Sequence, residues 1–168
     1  FAPVLRAHVA CEVYGSSDLA AGASPPAAAS AADPGATAFL QHSSGTTGLQ
    51  KGVALSHAAV LNQVAAYSDA IGLQPTDVGV SWLPLYHDMG LIGSWLTCLH
   101  HGLPLTLLSP TAFLARPERW LWAIHQRRAT LSAAPNFAYE LCARRVRDEA
   151  LEGLDLSPID TWILHHHE

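Results

Sequence analysis

The sequence predicts an α/β protein with a mainly parallel sheet and alternating helices. Three observations carry this. After residue 37, short apolar runs alternate with longer segments of helical spacing. Most of these runs stop at a glycine or a proline. The chain has 168 residues, of which 49% are apolar and 14% charged, enough to build a real core. Strands alternating with helices imply β-α-β units with right-handed crossovers.

The elements follow in order. Residues 1–37 form an N-terminal segment. It opens with a short run, Val9-Ala10-Cys11, compatible with one helix or one strand. Residues 20–36 are small, proline-punctuated and uncharged except for Asp33, the pattern of a linker or long loop. Residues 38–41 predict a buried strand. Ser56 caps a helix over 57–71, with Val60, Leu61, Val64 and Ile71 on one face and Gly72 closing it. Residues 78–83 predict a second strand, stopped by Pro84, and a helix follows over about 88–101, ended by Gly102. Residues 103–108 make a third strand, stopped by Ser109-Pro110. Pro117 suits the first turn of a helix carrying Trp120, Leu121 and Ile124. Residues 130–133 make a fourth strand, ended by Pro135. Asn136 caps a last long helix with Phe137, Ala138, Leu141 and Cys142 inward. Trp162-Ile163-Leu164 starts a fifth strand. Residues 165–168, His-His-His-Glu, are expected to be a tag remnant, and the chain a piece of something longer.

Charge and cysteines narrow the function classes. Nine basic against fourteen acidic residues give a net charge of −5, so no basic field for nucleic acid or an anionic membrane exists. The apolar run over 89–99 is too short to span a bilayer. Cys11, Cys98 and Cys142 show no C-x-x-C spacing, which predicts reduced thiols and a cytoplasmic setting. His100-His101 lacks a spaced third ligand, so no metal site is expected.

The most informative stretch is Ser43-Ser44-Gly45-Thr46-Thr47-Gly48-Leu49-Gln50-Lys51-Gly52. Glycines turn the backbone tightly and expose successive N–H groups, which make a concave anion site. Four hydroxyls add donors, and Lys51 adds a point charge. The residues predict a loop that holds a polyphosphate. It is not a Walker A loop, because Lys51 is followed by Gly52 and the glycine spacing differs. Nor is Ser44 a hydrolase nucleophile, since no G-x-S-x-G elbow is present. Ligands in parallel sheets gather at the carboxyl ends of strands. The loop at 43–51, Tyr86-His87-Asp88 and Asn136 each follow an expected strand and so fall on one rim.

The loop resembles the phosphate loop of the adenylate-forming enzymes, with Gln50 where that family usually has proline. Three further stretches agree in order. Trp82-Leu83-Pro84-Leu85-Tyr86-His87-Asp88-Met89-Gly90-Leu91 is similar to a segment of fatty acyl-AMP ligases. So are Ser109-Pro110-Thr111-Ala112-Phe113-Leu114 with Arg116-Pro117, and Ala134-Pro135-Asn136-Phe137-Ala138-Tyr139. The resemblance covers about 38–163 and implies a partial ATP- and acyl-binding subdomain over 38–164. It implies that Ser43, Ser44, Gly45, Thr46, Thr47, Gly48 and Lys51 cradle ATP. It also implies that His87 sits between acyl pocket and α-phosphate, and that Asn136 and Phe137 line the acyl channel. Taken without that motif, His87-Asp88 reads as a helix-start pair, with Asp88 capping and His87 exposed; within it, the pocket is the expectation. ATP and Mg2+ are the implied cofactors. A fatty acid is the implied substrate, and an acyl carrier protein or a polyketide or peptide synthase the implied acceptor. The family's adenine- and ribose-binding motifs and its C-terminal lid lie beyond this sequence, so the chain alone is expected to be inactive. A fatty acyl-CoA ligase and a non-catalytic nucleotide- or acyl-binding module are the alternatives.

Overall fold

The computed structural model describes residues 32–42 and 52–159, and the backbone of 161–165. Except for residues 32 and 33, these belong to the compact unit Pro34–Glu168. The segment 43–51, expected to be a phosphate loop, and the expected elements before residue 32 lie outside the described residues.

The first two strands form a sheet of their own. β1 (Thr37–His42) pairs antiparallel with β2 (Gly52–Ser56), with His42 opposite Gly52 and Thr37 opposite Ser56. This corrects the expectation of a buried strand at 38–41 within the parallel set, for Leu40 is 68% exposed. It also places a second strand, β2, between the expected strand and the helix. The β2 segment abuts the helix cap at Ser56, and this masked its strand character. Helix α1 (His57–Ile71) follows as expected. The Ser56 hydroxyl accepts from the Ala59 N–H at 3.1 Å, and Gly72 ends the helix at φ 65°. Val60 and Val64 are buried, but Leu61 is half exposed because it sits about 100° around the helix from Val60.

The main sheet has the order β4-β3-β5-β6, and every neighbouring pair is parallel. Its strands are β3 (Gly79–Ser81), β4 (Leu105–Leu107), β5 (Leu131–Pro135) and β6 (Thr161–His165). Beyond β3 the chain enters a π-helical stretch, Met89–Leu96, which runs into α2 (Thr97–His101). Gly102, at φ 67°, ends it. After β4 comes α3 (Pro110–Ala115), a helix not anticipated from the sequence. Ser109-Pro110 had the appearance of a strand stop, yet Ser109 accepts from the Ala112 N–H at 3.1 Å and Pro110 occupies the first turn. Helix α4 (Glu118–Arg127) starts behind Pro117. Helix α5 (Asn136–Arg145) differs from expectation in its cap: Pro135 holds the cap position and Asn136 lies in the first turn. Phe137 is half exposed rather than inward, while Ala138 is fully buried.

Helices cover both faces of the sheet. On one face Trp120 of α4 sits at the centre of an aromatic cluster. It meets Trp82, Phe113 and Tyr139 edge-on at 6.3, 5.6 and 5.6 Å. Trp82 stacks on Phe113 at 4.0 Å. The indole N–H of Trp120 donates to Ser132 Oγ at 2.9 Å, and that hydroxyl donates to the Val80 carbonyl at 2.7 Å. On the other face, the space beside Gly79 is filled by Leu105 and by the sulfur of Cys98. At the amino ends of the strands, the buried Asp77 carboxylate accepts from the Gln74 N–H at 2.7 Å and from the Thr130 hydroxyl at 2.6 Å.

Cys98 is free and buried. Burial, helped by the nearby Asp77 carboxylate, pushes its thiol up to about 11. Thiolate is the reactive species. We therefore expect Cys98 to resist a thiol-specific reagent at neutral pH until the chain is unfolded. Mass mapping of the labelled thiols before and after denaturation checks this, and rapid labelling of Cys98 in the folded chain would contradict it.

Candidate functional site

The order β4-β3-β5 means the chain leaves β3 to one side and later returns to its other side. Such a reversal opens a crevice at the carboxyl ends of the strands, where ligands bind in open α/β sheets. The residues leaving β3 there are Trp82 to Asp88, and those leaving β5 are Asn136 and Phe137.

Beyond the end of β3 the chain turns at Pro84. The His87 N–H bonds back to the Pro84 carbonyl at 3.1 Å, and the Leu91 N–H reaches the His87 carbonyl at 2.8 Å. The start of the π-helical stretch thereby folds onto residues 83–84. Gly90 permits the contact, since a Cβ there would sit 2.2 Å from the Pro84 oxygen. Asp88 caps the stretch by accepting from the Met89 N–H at 2.7 Å. His87 Nδ1 lies 2.7 Å from the same carboxylate oxygen and 3.3 Å from the Met89 N–H, so the ring is held against the cap. Asp88 therefore caps a helix while His87 borders a cavity.

That cavity has a volume of about 850 Å³ and lies between the β1–β2 hairpin, α1 and residues 86–93. Pockets for small ligands fall in the same size range. His42, His87 and Asp88 give it polar edges; Leu55, Val60 and Ile92 give it apolar walls. His42 is the last residue before the 43–51 loop, and its strand partner Gly52 is the first one after it. The segment 43–51 is thus bounded at both ends by residues of the paired strands, and His42 brings one of those ends to the polar edge of the cavity.

Of the sequence-expected residues, His87 lines this cavity. Asn136 and Phe137 do not. They begin α5 at the end of β5, and the Phe137 ring meets Trp82 edge-on at 5.9 Å. Sequence reasoning missed Gln41, His42, Gln63 and Tyr67. The last two had a readable signal, because positions 60, 63, 64 and 67 share one side of α1. Among the described residues no three His, Cys, Asp or Glu side chains gather to hold a metal. His101 instead meets Ser68, with Nε2 at 2.9 Å from the hydroxyl. No described helix is long and apolar enough to cross a membrane.

The sequence profile of AMP-binding enzymes matches residues 5–164. The chain belongs to the AMP-binding enzyme family. Its mixed α/β architecture with a parallel sheet is that of the N-terminal domain of adenylate-forming enzymes. One relative is the medium-chain-fatty-acid–[acyl-carrier-protein] ligase of Teredinibacter turnerae, 41% identical over 126 residues, 75% of this chain and 20% of the relative. Another is the 4-hydroxyphenylalkanoate adenylyltransferase of Mycobacterium tuberculosis, 44% identical over 130 residues, 76% of this chain and 21% of the relative. The crystal structure of the fatty acyl-adenylate ligase from L. pneumophila in complex with acyl adenylate and pyrophosphate superposes with a TM-score of 0.75. It is 41% identical, over 78% of this chain and 23% of that one. This AMP-binding enzyme chain thus spans about a fifth of the length of the curated relatives it matches.

Proposed function

We propose that this chain is part of an ATP-dependent ligase that activates a fatty acid as its acyl-adenylate and passes the acyl group to an acyl carrier protein or to a polyketide or peptide synthase. The observation that carries the reading is the 850 Å³ cavity, apolar along its walls and polar where the hairpin stem holds the phosphate-loop sequence. The relatives that act on fatty acids, and that name a carrier protein, favour the same substrate and acceptor.

In this reading a fatty carboxylate oxygen attacks the α-phosphorus of ATP. The bond to the bridging oxygen of the β-phosphate breaks, and pyrophosphate leaves. Such chemistry rests on positioning and charge neutralisation more than on a protein nucleophile. Ser43 to Gly48 and Lys51 hold the phosphates, with Thr46 and Thr47 as hydroxyl donors. Mg2+ bound with the nucleotide would add further charge neutralisation. His87, oriented by Asp88, holds the carboxylate at the polar edge of the cavity. Asn136 and Phe137, which do not line this cavity, are assigned to the rim of the crevice at the end of β5. The setting is cytoplasmic, in keeping with the free thiols Cys98 and Cys142. This chain alone is inactive in the proposal, because it spans only a fifth of the relatives' length.

The test is fatty-acid-dependent ATP–pyrophosphate exchange. We expect exchange by the parent enzyme and none by this chain alone. Lys51→Ala in the parent is expected to weaken ATP binding about tenfold or more, the loss of one charge-assisted phosphate contact. A parent without exchange overturns the ligase reading, and unchanged ATP affinity in the Lys51→Ala enzyme overturns the phosphate-loop assignment. A second reading, transfer to CoA, is favoured by a putative acyl-CoA synthetase of Caulobacter vibrioides that is 45% identical over 120 residues. Thioester formation by the parent with CoA, set against a carrier-protein pantetheine, separates the two.

A further inference from the structure

A second, inner cavity lies beside the open one. Its volume is about 30 Å³, enough for one or two water-sized groups. It sits between α1, the π-helical stretch and the sheet, with Ile71, Leu105 and Leu131 in its wall. Its hydroxyl groups are engaged elsewhere. Ser94 donates to the Met89 carbonyl at 3.2 Å, Thr97 donates to the Ile92 carbonyl at 2.8 Å, and Ser81 accepts from the Leu83 N–H at 3.2 Å. The inner cavity therefore offers mostly carbon to an occupant.

Tyr67 and Gly93 line both cavities. The hydroxyl-bearing end of the Tyr67 ring lies over Gly93, 3.6 Å from where a Cβ on that glycine would be. An aromatic ring against a residue with no side chain is thus the partition between the two spaces. Resting on the fatty-acid reading above, we propose that Tyr67 and Gly93 determine the chain length of the acyl substrate, the Tyr67 ring acting as a gate. With the ring against Gly93, an acyl tail ends in the outer cavity. With the ring aside, the tail continues into the inner one. The phenol brings no charge into this path, since burial, with a smaller effect of Cys98, pushes it up to about 12.

The test compares the parent enzyme with its Tyr67→Ala and Gly93→Ala variants in ATP–pyrophosphate exchange over a ladder of straight-chain fatty acids from short to long. Tyr67→Ala joins the cavities, and its ratio of long-chain to short-chain kcat/KM is expected to rise about tenfold, the effect of seating one or two more methylenes. Gly93→Ala narrows the passage and is expected to lower the same ratio. That variant is the safer one for folding, because its nearest obstacle is the flexible end of Met89, at 2.8 Å. An active parent whose chain-length profile is unmoved by Gly93→Ala and by a folded Tyr67→Ala overturns the gate alone. A parent with no fatty-acid-dependent exchange overturns the gate together with the ligase reading beneath it.

Discussion

Trp120→Ala lowers the unfolding free energy by about 3–5 kcal/mol, the usual cost of emptying a large aromatic site. Trp120 is fully buried and touches three other aromatic rings. Its neighbours come from the residue after β3, from α3 and from α5, so no single element can move in to fill the void. The substitution also removes the donor to Ser132 Oγ. Trp120→Phe keeps most of the ring and loses only that hydrogen bond and some contact area, so its cost is nearer 1–2 kcal/mol. Urea unfolding followed by far-UV circular dichroism measures both. Equal, small losses for the two variants would place the core elsewhere than around Trp120.

Gly90→Ala is expected to destabilise by about 3 kcal/mol, the upper part of the overpacking range, and to lower the activity of the parent about a hundredfold. The added methyl would meet only backbone: the Pro84 oxygen at 2.2 Å, the Pro84 carbonyl carbon at 2.8 Å and the Leu83 oxygen at 3.0 Å. None of these atoms can rotate away. The π-helical stretch must lift, and His87 and Met89 move with it. Gly72 makes a fair comparison. A Cβ there meets nothing within 4 Å, so Gly72→Ala carries only the strain of its positive φ, about 1 kcal/mol, and leaves His87 in place. Urea unfolding and ATP–pyrophosphate exchange on both variants test the contrast. Full activity in Gly90→Ala would mean that the position of His87 does not matter to the reaction.

Much of the architecture was legible because its signals are local. Ser56, Gly72 and Gly102 mark helix ends through their own backbone chemistry, and each does so in the structure. The apolar runs at 78–83, 103–108 and 130–133 gave the central strands for the same reason. What was not legible depends on partners. Nothing in residues 38–41 says that they pair with 52–56 instead of joining the parallel sheet, since strand pairing is a tertiary choice. The π-helical geometry of 89–96 was also invisible, because its apolar spacing resembles that of an ordinary helix. At the site, His87 was found through its motif and stands on the cavity wall. Tyr67 was passed over because a tyrosine on a helix is ordinary until the residue facing it is known to be a glycine.

The seam between β3 and β5 is joined differently from the rest of the sheet. β3 and β4 stay paired over three residues and β5 and β6 over five, whereas β3 and β5 are in register only at Gly79 and Leu131. Beyond that point the Ser132 hydroxyl donates to the Val80 carbonyl at 2.7 Å. One rotatable side chain thus serves as the upper rivet of a joint that is otherwise fastened at its foot. The line between the two halves of the sheet runs toward Trp82 and Phe137, whose rings meet edge-on at 5.9 Å. We expect this seam to yield more readily than the others, because a side chain fastens there what main-chain pairing fastens elsewhere.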